Sequence, residues 1–287
     1  MTEIKKPGPD DDIPEPKVGL SRAERHQVRG GMRLRAVVVY EIIRNEGEGE
    51  LSRTFSALWW SGLAAGISIG FSFLIEAVLA AHLPDFAWKD IIAKMGYAVG
   101  FLIVILGRQQ LFTENTLTAV LPVITRRKLD WFLGLLRLWG IVLAANIVGC
   151  FIFAWAISST NMVSMEVTHE LRAIVEHVMV NTPWQMFVKG IGAGWIIAAL
   201  VWMLPSAEGA EFFIIGLMTY LIALCGFTHI VAGSAEAIYG VLTGAIEFRD
   251  AALGFFLPTL AGNVCGGTIL FAVLSYAQVR TEMPEPK

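Results

Sequence analysis

Six apolar stretches occupy most of the sequence between residues 55 and 276. The hydrocarbon core of a bilayer is about 30 Å thick and takes roughly 20 apolar residues of helix to cross, and most of the stretches are that long. The chain is 55% hydrophobic and only 16% charged, which is too apolar for a soluble domain. We predict an all-α membrane protein with six transmembrane helices, the second and fifth of them interrupted, over 55–81, 96–107 with 117–124, 131–158, 184–204, 212–225 and 253–276.

The basic residues indicate how these helices are oriented. Ten of the 22 Lys and Arg residues precede residue 54, and Arg126, Arg127 and Lys128 follow the second crossing. Loops rich in Lys and Arg stay on the cytoplasmic side of the membrane. We therefore predict a multi-pass protein of the bacterial inner membrane with both termini in the cytoplasm.

The polar segments outside the apolar stretches divide the chain further. Residues 1–20 combine four prolines with an aspartate run and predict a disordered cytoplasmic tail. Residues 21–53 carry Leu34, Val37 and Val38 at helical spacing and predict a cytoplasmic amphipathic helix region. Residues 54–280 form the predicted transmembrane transport domain, within which 161–182 predicts a second amphipathic helix on the periplasmic side, and residues 281–287 form a cytoplasmic tail.

An internal repeat relates the two halves of the predicted membrane domain. In each half, three elements follow in the same order: a Gly-x3-Gly pair, a Phe-Thr dipeptide, and an asparagine three residues before a glycine. They are Gly62–Gly66, Phe112–Thr113 and Asn146 in the first half, and Gly190–Gly194, Phe227–Thr228 and Asn263 in the second. Each half has three crossings, an odd number, so the two halves are predicted to be inverted relative to each other, as in transporters with a central substrate site.

The second and fifth crossings are interrupted by polar residues, at 107–115 and 225–236. Irregular backbone at membrane depth is tolerated only where protein covers it or where it lines a cavity. Two half-helices around such a loop would direct their positive N-terminal ends inward, which suits an anion. We expect the functional site to lie at these two interruptions.

Four motifs resemble the formate/nitrite transporter family over residues 55–280. Leu111-Phe112-Thr113 resembles the loop that interrupts the family's second helix, and Gly226-Phe227-Thr228-His229 resembles the break in its fifth. The sequence 262–267, Gly-Asn-Val-Cys-Gly-Gly, is similar to the signature of the sixth helix, and 187–191, Phe-Val-Lys-Gly-Ile, to the start of the fourth.

The resemblance implies an aquaporin-like homopentamer with one pore in each protomer. It implies that His229 is the central histidine of the pore, that Thr113 is its partner in the loop, and that Leu111 and Phe112 are candidates for the constrictions. Several positions depart from the family pattern and are most similar to a divergent, YfdC-type branch: Gln110, Glu114, Gly194, Thr228 and Gly233, with Arg108 and Glu236 adding charge near the interruptions.

From the residues and the resemblance together, two groups of site residues are expected. Those expected at the pore or substrate are His229, Thr113, Leu111, Phe112, Phe227, Thr228, Glu114, Asn115 and Lys189. Those expected to support the interruptions are Arg108, Gln110, Asn146, Asn263 and Glu236, with Arg108 and Glu114 as an ion pair. Lys189, early in the fourth helix, would attract anions on the periplasmic side.

Three functions remain open at this stage. The first is a channel or secondary transporter for small monovalent anions, proton-linked through His229, whose ordinary pKa of about 6.5 allows it to supply charge or a proton. The second is a pore of the same fold for a neutral or cationic solute, with Glu114 or Glu236 in its lining. The third is a membrane anchor or sensor without transport, in which side chains fill both constrictions.

No enzymatic motif is visible in the sequence. Glu166, His169, Glu170 and His177 have no recognised metal-ligand spacing and predict a solvated helix face. Phosphate-binding glycine loops and nucleophile motifs are not found either. We therefore expect no enzyme activity, no cofactor, no metal and no nucleic acid partner; the expected partners are the small solute, a proton, the lipid bilayer and further copies of the chain.

Overall fold

The computed structural model describes residues 33–282. The predicted tail 1–20, residues 21–32 of the predicted amphipathic region and residues 283–287 lie outside the described residues. Residues 33–35 have no regular secondary structure, and the helices begin at Ala36.

Every regular element within the described residues is helical. The helices are α1 (Ala36–Ser52), α2 (Phe55–His82), α3 (Lys89–Ala93), α4 (Ala98–Leu106), α5 (Val120–Arg126), α6 (Leu129–Ser159), α7 (Met165–Met179), α8 (Pro183–Met203), α9 (Glu211–Leu224), α10 (Ile230–Leu242) and α11 (Asp250–Val279). Short 3-10 turns cover Lys94–Tyr97, Glu114–Thr116 and Leu204–Ser206, and α11 contains two π-helical stretches, Asp250–Phe256 and Cys265–Ala272.

Four of the described helices are long and apolar enough to cross a bilayer. They are α2, α6, α8 with the turn after it, and α11, with 28, 31, 24 and 30 residues. The second predicted stretch, 96–107 with 117–124, contains the shorter helices α4 and α5, and the fifth, 212–225, coincides with the shorter helix α9, which α10 follows.

Helix α1 lies within residues 21–53, for which an amphipathic helix is predicted. Leu34 and Val38 are both 41% exposed, whereas Val39, Tyr40, Ile43 and Gly47 are buried. The Tyr40 hydroxyl is hydrogen-bonded to the Thr125 hydroxyl at 2.7 Å. The four buried positions share one helix face, at i, i+1, i+4 and i+8. Helix α1 therefore packs on the bundle through that face.

Helix α7 confirms that an amphipathic helix lies within 161–182. The Ser164 hydroxyl caps its first turn by accepting a hydrogen bond from the backbone N–H of Val167. Val167, Leu171 and Val175, spaced by one helical turn, are buried, while Glu166 and His169 face outward. The apolar face packs against α2 and α10.

Glycines allow the backbones of two helix pairs to touch. Where α2 crosses α6, a side chain on Gly66 would overlap the Asn146 carbonyl, and one on Gly149 would overlap the Leu63 carbonyl. Where α8 crosses α11, Gly194 and Gly266 meet the carbonyls of Asn263 and Ile191 in the same way. Small residues at such crossings permit the close packing typical of membrane helices.

Two alanine substitutions in the same helix test this packing. We expect Gly149→Ala to lower the free energy of unfolding by about 1–3 kcal/mol, because the added methyl group overpacks the contact with α2. Gly140→Ala, also in α6, has nothing within 4 Å of the new methyl group and should be neutral or slightly stabilising, since alanine is the better helix former. Thermal unfolding of both variants in detergent measures the difference; equal melting temperatures would contradict the close packing.

Candidate functional site

Two irregular segments separate the paired short helices. The first, residues 107–119, joins α4 to α5, and the second, residues 225–229, joins α9 to α10. Each contains a residue with positive φ directly after the first short helix: Arg108 at 51° and Gly226 at 61°. Both segments therefore turn sharply out of the helical path at their first residues.

Two buried asparagines hold these segments in place with equivalent hydrogen bonds. Asn146, in α6, donates to the carbonyls of Gly62 and Gln110 at 2.8 and 2.9 Å and accepts from the Phe112 N–H at 2.9 Å. Asn263, in α11, donates to two carbonyls and accepts one N–H in the same pattern. Its partners are Gly190 O at 2.9 Å, Thr228 O at 2.9 Å and Ile230 N at 2.8 Å. Each amide side chain thus replaces hydrogen bonds that an uninterrupted helix would supply.

These contacts correct the register of the sequence repeat. The two Phe-Thr dipeptides pair Phe112 with Phe227, whereas the asparagine contacts pair Phe112 with Ile230 and Gln110 with Thr228. Phe227 lies three residues before Ile230, the residue that the Asn263 contact matches to Phe112. The glycine and asparagine elements of the repeat do occupy matching positions in the two halves.

His229 joins the two irregular segments. It is 1% exposed, and its Nε2 is 2.7 Å from the hydroxyl of Thr113, which is fully buried. On the other side of the ring, Nδ1 accepts the N–H of Ala232 at 3.2 Å, so that His229 caps the N-terminus of α10. Because Nδ1 is an acceptor, the hydrogen of the neutral ring lies on Nε2 and is donated to Thr113. The edge of the ring meets Phe101 at 5.0 Å.

Most of the other predicted residues pack around this pair. Leu111 and Phe112 are buried, and the Phe112 ring lies 5.7 Å from Trp139. Asn115 donates to the Gln110 side chain at 3.1 Å. Thr228 donates to the Met186 carbonyl at 2.9 Å.

Two cavities reach these segments. The first, which we call the Glu236 vestibule, has a volume of about 370 Å³ and is lined by Phe227, Thr228, His229 and Glu236, among others. The second, the Glu114 vestibule, has a volume of about 210 Å³ and is lined by Gln110, Glu114 and Asn115, among others. Thr113 directly precedes Glu114, which lines the Glu114 vestibule. Its hydroxyl is hydrogen-bonded to His229, which lines the Glu236 vestibule. The Thr113–His229 contact therefore belongs to the partition between the vestibules.

The charged residues are not paired as predicted. Within residues 33–282 no ion pair joins Arg108 to Glu114. Both line the Glu114 vestibule, together with Glu46 and Glu50 from α1, and Arg108 is exposed because its backbone turns away from the helix. Lys189 lines the Glu236 vestibule and donates to the Asn181 side chain at 2.6 Å.

Several residues that line the two vestibules were not predicted from the sequence. Asp90, Lys94 and Tyr97 come from the segment around α3 and line the Glu236 vestibule, and Glu46 and Glu50 line the other. The spacing of Glu46 and Glu50, one turn apart on one helix face, was a readable signal for a polar face. Nothing in the sequence indicated that the short α3 segment reaches the cavity.

Known proteins resemble this chain in sequence and in fold. The profile of the family described as "Formate/nitrite transporter" matches residues 37–277. The "Inner membrane protein YfdC" of Escherichia coli (strain K12) is 47% identical over 249 residues, which cover 87% of this chain and 80% of that protein. The "Formate channel FocA" of Haemophilus influenzae is 24% identical over 247 residues, 77% of this chain and 86% of that protein.

Two solved structures share the fold of this chain. A pentameric formate channel with formate bound superposes with a TM-score of 0.67 at 20% identity, covering 79% of this chain and 98% of that one. A structure described as an FNT family ion channel gives a TM-score of 0.67 at 17% identity, covering 87% and 97%. Because the profile spans most of the described residues and a relative nearly half identical aligns along most of both chains, this protein belongs to the formate/nitrite transporter family.

Proposed function

We propose that the chain is a channel or secondary transporter for small monovalent anions of the formate and nitrite type. The family consists of transporters and channels rather than enzymes. The observation that carries the proposal is the buried Thr113–His229 contact between two vestibules. A pair of hydrogen-bonding side chains between the two cavities is what a small carboxylate needs once it leaves water.

The proposed path crosses an inverted bundle of six transmembrane segments. Helices α2, α6, α8 and α11 are four of them, and α4 with α5 and α9 with α10 are the two interrupted ones. The matching hydrogen bonds of Asn146 and Asn263 and the matching glycine crossings support two related halves. The proposed site then lies where the halves meet, as in other inverted-repeat transporters.

We base the proposed membrane location and oligomeric state on the similar proteins. An inner membrane protein of Escherichia coli is 47% identical, and the bound formate channel is a pentamer. We place this chain in the inner membrane of a bacterium, as a homopentamer with one pore in each protomer. The basic residues before residue 54 and after α5 place both termini in the cytoplasm, so that the Glu236 vestibule faces the periplasm.

The electrostatics of the partition favour an anion and a proton together. The N-terminus of α10 carries partial positive charge and begins at His229. An ionised solute at membrane depth is nevertheless unfavourable by at least about 2.5 to 3.5 kcal/mol. We therefore propose that a proton accompanies the anion and that the solute crosses the partition as its neutral acid, with Leu111 and Phe112 forming the apolar surroundings.

A second candidate is a pore for a neutral or cationic solute. It is favoured by the Glu114 vestibule, whose lining contains three glutamates, Glu46, Glu50 and Glu114, and a single arginine, Arg108. Such a lining repels anions and concentrates cations. The third possibility from the sequence, an anchor or sensor without transport, is less compatible with two cavities that approach the partition from different sides.

Solute uptake by the unmodified protein decides between these candidates. Purified protein in proteoliposomes is expected to raise the uptake of formate and nitrite above that of protein-free vesicles, and not the uptake of ammonium. The reason is that the buried contact and the helix N-terminus offer hydrogen-bond donors to an anion. Ammonium uptake without formate uptake would favour the second candidate, and no uptake of any solute would favour the third.

A further inference from the structure

Glu236 is a buried acid without a partner. It is 6% exposed, and it makes no hydrogen bond or ion pair with any of the residues 33–282. The residue whose charge acts on it is Glu76, another acid. Counted from His229, the cap of α10, as position i, Gly233 is at i+4 and Glu236 is at i+7. All three residues line the Glu236 vestibule. The carboxyl group of Glu236 therefore faces the same cavity as the imidazole.

The lining of this cavity holds an excess of acid. Besides Glu236, its charged residues are Glu76, Asp90 and Glu170, with Lys94 and Lys189. That makes four carboxyl groups against two ammonium groups. The remaining titratable residues that face the cavity are Tyr97, His177 and His229. The aromatic ring of Phe255 fills the space above Gly233 and keeps water from that part of α10. An ionised carboxylate is unfavourable in such surroundings, so the neutral acid is the favoured form of Glu236.

His229 is poorly placed to supply a proton itself. Its Nε2–H is engaged with Thr113, and its Nδ1 with the Ala232 N–H. Giving away the Nε2 proton would leave an imidazolate unless Nδ1 took up another proton, and Nδ1 is occupied by a backbone donor. The ring thus acts as a fixed hydrogen-bond donor, and the proton must come from another group in the cavity.

We propose that Glu236 is the proton donor for the solute in the Glu236 vestibule. This inference rests on the proposed function and names its proton source. The O–H bond of the Glu236 carboxyl group breaks as an O–H bond forms on the incoming carboxylate, which then crosses the partition as the neutral acid. The Glu236 carboxylate recovers its proton from hydronium in the vestibule. Glu76, the neighbouring acid, favours this recovery because two adjacent negative charges repel each other.

The test compares proton and formate movement in the same vesicles. Proteoliposomes that contain a pH-sensitive dye receive external formate at acidic pH, and isotope uptake is recorded beside internal acidification. With the unmodified protein we expect one proton to enter with each formate. With Glu236→Gln we expect proton-coupled uptake to fall by roughly a hundredfold, because the solute must now cross ionised. The remaining flux should respond to an imposed potassium-valinomycin potential.

Three controls keep the outcomes separate. Glu166→Gln removes an exposed carboxyl group from α7 and should leave the proton-to-formate ratio unchanged. Glu236→Asp keeps an acid at the site and should restore part of the coupled uptake. Size-exclusion chromatography checks the folding of each variant, which should elute with the unmodified protein. The proton-to-formate ratio of the unmodified protein tests the inference even if a variant does not fold.

Three results would overturn the inference. The first is an unchanged ratio of protons to formate in Glu236→Gln, and the second is formate uptake without protons by the unmodified protein. The third is a loss of ammonium uptake alone in Glu236→Gln, which would make the acid a cation site. Formate uptake without protons would remove the proton donor and the proposed proton coupling, and leave the proposed anion transport standing. Absence of any formate uptake above that of empty vesicles would instead remove the proposed function.

Discussion

His229→Asn is expected to lower formate uptake into proteoliposomes by about tenfold to a hundredfold, because the Thr113 hydroxyl loses its buried partner. Asparagine is a good N-cap residue and can still accept the Ala232 N–H. Its side chain is too short to reach Thr113 in addition. The substitution therefore preserves the start of α10 and removes the contact across the partition.

A second histidine provides the control. His169→Asn changes an exposed position of α7 and is expected to leave uptake unchanged. His229→Asn should still fold in detergent because the cap is kept, with a loss of stability of about 1–3 kcal/mol from the unpartnered Thr113 hydroxyl. Unchanged formate uptake in a folded His229→Asn protein would exclude a role for the imidazole in the path.

The largest expected losses of stability come from Asn146→Ala and Asn263→Ala. Each substitution leaves one carbonyl, of Gln110 or Thr228, and one backbone N–H, of Phe112 or Ile230, buried without a partner. The carbonyls of Gly62 and Gly190 lose only a second hydrogen bond, because both lie inside helices. Each of the two unpartnered groups costs about 1–3 kcal/mol, which together is a large part of the whole stability of an ordinary domain, about 5–15 kcal/mol. We expect little folded protein from either variant, with similar losses in the two because their contacts are equivalent.

Gln278→Ala serves as the comparison for Asn263→Ala. It removes an amide side chain from the same helix, α11, at an exposed position, and should retain the yield and the thermal stability of the unmodified protein. Yield in detergent and melting temperature measure the effect. An Asn146→Ala or Asn263→Ala protein as stable as Gln278→Ala would mean that water or a shifted backbone satisfies the two groups.

The sequence was sufficient to predict the helical class and the family. Apolar length identifies helices directly, and polar residues such as Gln110 and Thr228 inside an apolar stretch mark an irregular backbone. The register of the repeat was wrong because Phe227 resembles Phe112 in chemistry while Ile230 occupies its place. To match positions between the two halves, similar side chains are a weaker guide than the backbone groups that Asn146 and Asn263 hydrogen-bond.

The charged lining was harder to predict than the partition. Arg108 and Glu114 have the signs of an ion pair at close spacing and line the same vestibule, but within residues 33–282 no ion pair joins them. The face of α1 that packs on the bundle, with Val39, Tyr40 and Ile43, was not predicted, because only packing against α5 and α6 determines which side of the helix is covered. Long-range contacts of this kind leave no local trace in a sequence.

The thin partition between the two vestibules also determines how the protein responds to voltage. Under the proposed function, water in both cavities would carry the bulk potential inward, and most of the membrane field would fall across the few side chains around Thr113 and His229. An ion crossing that short distance experiences nearly the full field, about 2.3 kcal/mol per charge for each 100 mV. A neutral acid experiences none of it. Uptake coupled one-to-one to protons would therefore proceed at the same rate in a resting and a depolarised cell.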